Sequence, residues 1–130
     1  MPAYDACRFT PPAPLGLVTL RNATNGAHLP DVPMLLDSGA DVTLVPQQSV
    51  ERLEVSLDPE AVYELLSFDG QKSSAQAVDL DLIFLGRTFK GRLLLTDQDC
   101  GILGRDVLNH LSLLLDGPKS SWLEHKQTAD

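Results

Sequence analysis

The segment Met34-Leu35-Leu36-Asp37-Ser38-Gly39-Ala40-Asp41 places a carboxylate directly after an apolar run and follows it with a hydroxyl and a glycine. That order has a chemical use. A strand ending in Asp carries the acid to the rim of the core, where loss of water disfavours its charged form. Gly39 permits a sharp turn that brings backbone N–H groups close to the carboxylate. Ser38 offers a hydroxyl to whatever faces it. A carboxylate so placed suits general acid–base work. Taken alone, Asp-Ser-Gly also reads as a β-turn, since all three residues favour turns. Far along the chain, Gly101-Ile102-Leu103-Gly104-Arg105-Asp106-Val107-Leu108 gives a second signal, an apolar pair and a glycine leading into a helix with Arg105 at its start.

Other chemistries find less support. His28, His110 and His125 show no metal-ligand spacing, so no metal and no other cofactor is expected. Ser38 lacks the Gly-x-Ser-x-Gly elbow of a serine nucleophile. Cys7 and Cys100 make no disulfide framework, and Cys100, beside an apolar segment, reads as a small buried residue.

The elements that must position these residues are short. Residues 1–14 read as an arm, because Pro2, Pro11, Pro12 and Pro14 bar it from a central strand. Leu15–Leu20 and Val32–Leu36 are apolar runs around the turn Asn22-Ala23-Thr24-Asn25-Gly26, where Asn-Gly supplies positive φ. Val42–Val45 follows, then a short helix over 47–53 behind Pro46. Ala61–Leu66 and Ala75–Phe84 flank Asp69-Gly70 as a hairpin. In Val78-Asp79-Leu80-Asp81-Leu82 the strict alternation predicts a strand with one wet face. Leu93–Leu95 is another strand, and Gly104–Leu111 a helix of two turns. Leu113–Leu115 and Ser121–Leu123 form a terminal hairpin around Asp116-Gly117-Pro118-Lys119. The sum is a mostly β domain with one or two short helices, closed on itself to hide its edges.

With both motifs in place, the sequence resembles the retropepsin group of aspartic proteases over residues 15–124. In that family a catalytic Asp-Thr/Ser-Gly-Ala follows an apolar strand, matched by Asp37-Ser38-Gly39-Ala40. An apolar-apolar-Gly-Arg-Asp/Asn motif opens the helix, matched by Ile102-Leu103-Gly104-Arg105-Asp106. The resemblance implies a single-domain, retropepsin-like closed β-barrel, the acid protease fold, active as a homodimer. It implies that Asp37 is the catalytic carboxylate, that Ser38 joins the two active-site loops across the dimer, and that Gly39 lines the cleft with its carbonyl. It pairs Asp41 with Arg105 as a structural salt bridge. It makes the hairpin between the motifs a flap, with Phe68, Asp69, Gly70 and Gln71 at its tip. The chain departs from the common retroviral form in having Ser38 for Thr and in lacking a Gly-rich flap tip. Since the chain holds one Asp-Ser-Gly, half of a carboxylate dyad must come from a second copy. The terminal segment Ser121-Trp122-Leu123 suits either an intersubunit sheet or core packing.

Length and charge bound these readings. The 130 residues fit one domain and are too few for a two-lobed enzyme with two internal copies of the site. Residues 125–130 read as a tail. With 18 acidic against 10 basic residues the net charge is −8, and the scattered Lys and Arg argue against a nucleic-acid partner. No apolar stretch approaches a membrane span and no secretory signal is visible, so a cytoplasmic protein is expected. Two copies would carry −16, a self-repulsion that eases as carboxylates protonate. The expected activity is hydrolysis of peptide bonds in a peptide or protein substrate. The alternatives are a retropepsin-fold dimerisation or peptide-binding module with little proteolysis, and a β-barrel binding protein unrelated to proteases.

Overall fold

The protein is described from a computed structural model covering residues 2–55, 62–66, 70 and 72–126. In chain order the elements are β1 (Tyr4–Asp5), β2 (Ala13–Arg21), β3 (His28–Leu36), β4 (Leu44–Pro46), α1 (Gln47–Glu51) and β5 (Val62–Leu66). Then come β6 (Lys72–Phe84), β7 (Arg87–Thr96), β8 (Gly101–Leu103), α2 (Arg105–Leu108), β9 (Leu113–Asp116) and β10 (Ser121–Glu124). The strands order as β1-β2-β3-β8-β4-β7-β6-β5, and a further pairing of β2 with β6 closes the six inner strands into a barrel. Closure removes the free edges that an open sheet of this size would expose. Alternate residues of each strand fill the barrel: Val18 and Leu20 of β2, Val32 and Met34 of β3, Leu80 and Leu82 of β6.

The expected hairpins form, with local differences. Asn22–Ala27 is a longer loop than a two-residue turn, closed by Asn22 N–H to Ala27 O (2.8 Å), and only Gly26 takes positive φ. Asn22 also reaches inward, its Nδ2 donating to Leu53 O at 3.1 Å. The β6–β7 hairpin turns at Leu85-Gly86, both with φ in the left-handed region, a turn that the sequence reading passed over. The expected two-turn helix over 104–111 is reduced to the single turn of α2, after which His110 and Leu111 bond three residues back. A chain closing with i→i+3 bonds tightens and stops.

Two stretches depart further from expectation. The described part of the arm, residues 2–14, is built into the barrel's rim: β1 pairs with β2 through Tyr4↔Pro14 and Asp5↔Ala13, and Ala3 bridges to Ser121. Pro14, expected to stay out of a central strand, falls within β2, at its start before the pairing with β3 begins at Leu15, where no N–H is called on from that side. Asp81, expected on a wet face beside Asp79, is instead buried at 4% exposure. Closure brings β2 against it in register with Arg21, whose Nε and Nη2 donate to Asp81 Oδ2 at 3.1 and 2.8 Å. Trp122 resolves to core packing: it is buried, its ring centroid lies 5.8 Å from that of Phe84, and its Nε1–H donates to Leu15 O at 2.8 Å. The apolar residues that the terminal hairpin leaves in solvent are Leu114, Leu115 and Leu123.

Candidate active site

Asp37 stands at the end of β3 because that strand runs parallel to β8, with Met34↔Gly101 and Leu36↔Leu103 in register. The pairing continues one residue beyond the strands, as Asp37 N–H donates to Leu103 O at 3.0 Å. The two motifs identified in the sequence therefore lie side by side. Space between them is tight. A Cβ at Gly104 would sit 2.5 Å from Val42 O and 3.0 Å from Ala40 O, and one at Gly101 would sit 2.5 Å from Leu44 O. Only glycine allows the second motif to approach the first this closely.

The carboxylate of Asp37 is half-buried in its own chain, with Gly39 N–H donating to Oδ1 at 2.9 Å. Gly39 does not take a left-handed turn, as its φ is not positive, and an added Cβ would lie 3.1 Å from Asp37 Oδ1, a contact that would press on the carboxylate. Among the described residues no hydrogen bond is made to Asp37 Oδ2, so that oxygen is open to a water or a second carboxyl group. Ala40 closes the turn with its N–H on Asp37 O (3.2 Å) and its own carbonyl accepting Arg105 N–H at 2.9 Å.

Arg105 holds the loop from outside. Its Nη1 donates to Ser38 O at 2.7 Å and its Nη2 to Asp41 Oδ1, so the guanidinium spans the loop's middle and end. Ser38 and Asp41 are both exposed. Of the flap residues, Gly70 is exposed with φ of 82°, while Phe68, Asp69 and Gln71 lie outside the described residues. The hairpin that would carry them is formed by β5 and β6, in register from Val62↔Gln76 to Leu66↔Lys72.

Two residues of the site were given no role in the sequence reading. Thr43 is fully buried, and its hydroxyl donates to Asp106 Oδ1 (2.6 Å) while accepting Gly104 N–H (3.1 Å). Its backbone N–H donates to Asp106 Oδ2 at 3.1 Å. The available signal was a lone hydroxyl residue inside the apolar run Val42–Val45, together with the acid that closes the second motif. The other thiol near this end, Cys100, is half-buried, and burial pushes its pKa up, which keeps it a neutral packing group.

A half-exposed acid with one pinned oxygen and one open oxygen can bind a water and move a proton at it. It cannot at the same time take a proton from water and give one to a carbonyl, which requires a second group.

Comparison with known proteins agrees with this geometry. The family model described as "Aspartyl protease" matches residues 22–107, more than half of the chain and inclusive of both motifs. Among curated proteins none matches. Among solved structures, the EIAV protease in complex with the inhibitor HBY-793 superposes with a TM-score of 0.58 at 24% identity, covering 75% of this chain and 86% of that one. At that identity the likeness establishes the fold. The chain belongs to the aspartyl protease family and has the retropepsin-like fold of the retroviral proteases.

Proposed function

We propose that the protein is an aspartic endopeptidase, active as a two-fold homodimer in which each copy supplies one Asp37. The observation that carries this reading is the half-built site: one carboxylate, one oxygen held by Gly39 and the other without a partner among the described residues. A second Asp37 across a two-fold axis completes it. Two carboxyl groups a few ångströms apart resist double ionisation, so the pair shares one proton and titrates as a unit. The ionised member takes a proton from a water that attacks the peptide carbonyl, and the protonated member donates to the oxygen that gains charge. No covalent intermediate forms in this scheme. Ser38 would then link the two loops across the axis, and Gly39 would face the substrate.

Exposed Val42 beside the site favours substrates with apolar side chains, and exposed Leu114, Leu115 and Leu123 offer apolar surface for a partner copy. Asp69, if the hairpin between the motifs serves as a flap, would disfavour acidic residues in the substrate. The acidic charge of the chain and its scattered basic residues speak against nucleic acid as a partner.

Incubation with a mixed peptide library between pH 4 and 7 tests the reading. Cleavage by the parent is expected, with loss on addition of a pepstatin-type inhibitor and a fall of at least about a hundredfold in Asp37→Asn. A demonstrated dimer that cleaves nothing, or an Asp37→Asn variant as active as the parent, would contradict it.

A further inference from the structure

The contacts between the two motifs concentrate on a pair that does not touch Asp37. Thr43 has no exposed surface, yet both of its polar groups on this side are committed: the hydroxyl and the backbone N–H each donate to one oxygen of Asp106. The same hydroxyl accepts Gly104 N–H, which is itself buried. The carbonyl of Thr43 accepts Leu94 N–H at 3.3 Å, tying it to the barrel wall in β7. Along the chain from this point the two motifs continue to grip each other, through Arg105 N–H on Ala40 O and Asp37 N–H on Leu103 O. Gly104 and Leu103 are adjacent, so the bond that fixes Gly104 also fixes the carbonyl that holds Asp37.

We infer that Thr43 and Asp106 are positioning residues that set where the Asp37 carboxylate stands, acting through Gly104 and Leu103. The inference rests on the aspartic protease reading for its catalytic consequence, and on geometry alone for its structural one. Removing the hydroxyl leaves a buried N–H and one carboxylate oxygen without their bonds, and the 101–106 segment relaxes away from the loop. Displacements of about 1 Å at a reacting group cost on the order of a hundredfold in rate.

The test uses Thr43→Val, which keeps the shape and removes the hydroxyl, Thr43→Ser, which restores it, and Asp106→Ala. Amide hydrogen exchange is measured over residues 37–43, and kcat and KM are measured on a cleaved peptide. Thr43→Val and Asp106→Ala are expected to speed exchange at Asp37 and Gly39 by about tenfold or more and to lower kcat by about tenfold to a hundredfold. KM is expected to stay within about twofold, and Thr43→Ser to recover most of both losses. The double variant should be no worse than the poorer single one, since both break one unit. A folded Thr43→Val with parental exchange at Asp37 and Gly39 and parental kcat overturns the inference. If Thr43→Val does not fold, Asp106→Ala, at the more exposed partner, is scored the same way, and unchanged exchange there overturns it. Exchange does not require activity, so a parent that cleaves nothing defeats the proposed function while the exchange result still decides the role of Thr43.

Discussion

Asp81 occupies a position that alternation alone would put in water, and it is dry because Arg21 arrives from a strand sixty residues earlier in the chain. A buried carboxylate needs its partner: losing the guanidinium leaves a charge with no compensation. Arg21 is itself partly solvated, which discounts the full cost of a broken buried pair. Arg21→Ala is expected to lower stability by about 2 kcal/mol in urea denaturation. The matched apolar pair Arg21→Met with Asp81→Leu should cost less than Arg21→Ala alone. Equal losses in the two variants would show that the ion pair carries no weight here. At this scale the order Asp37-Ser38-Gly39 marked a carboxylate at a turn, while the Asp41–Arg105 pair, which the structure forms, was expected only through the family resemblance. The sequence was uninformative about Thr43 and Asp81, whose roles depend on which distant residue the fold brings to them.

Among elements, the apolar runs of β2, β3, β6 and the terminal hairpin were legible, since each carries a period or a turn signal of its own, whereas of β7 only Leu93–Leu95 was, because nothing in the residue types of Leu85-Gly86 announces its turn. β8 was not. It is three residues long, and what makes it a strand is pairing with β3 on one side and β4 on the other. The N-terminal arm was legible as proline-rich but not as docked, because its anchor is a local turn: Asp5 Oδ1 accepts the N–H groups of Cys7 and Arg8 at 2.7 and 2.9 Å. Those bonds, first the Arg8 N–H and then its guanidinium, hold the Asp5 carboxyl below its ordinary value of 3.8. A depressed folded-state pKa means that the contribution is present in full above about pH 3.8 and is lost as pH falls through the lower folded value. Trp122 is the single tryptophan, and its backbone N–H donates to Pro2 O at 3.2 Å, so its fluorescence reports the arm. The emission is expected to hold steady from neutral pH to about 4 and to change below it, and Asp5→Ala should already show the altered emission at neutral pH. Identical pH courses for the two proteins would remove Asp5 as the anchor.

For the whole molecule, the barrel carries one Asp-Ser-Gly motif, and the family to which the chain belongs gives that motif its meaning. The fold was readable in outline, as a closed, mostly β domain, because burial of alternating runs admits few solutions at this size. In the proposed dimer the second half of the site lies in the other copy, where the sequence of one chain cannot show it. In that proposed dimer the charge would work against association, as two copies bring −16 together, and the exposed leucines of the terminal hairpin would work for it. The central claim is that each active site uses one Asp37 from each of two copies. The most direct measurement adds Asp37→Asn protein to a fixed amount of parent and follows peptide cleavage after subunits have exchanged. Shared sites predict that activity falls to about half at equal amounts and continues to fall with excess variant, because mixed dimers hold one carboxylate. Activity that stays constant across the titration, with mixed dimers demonstrated in the same samples, would show that a single chain carries a complete site.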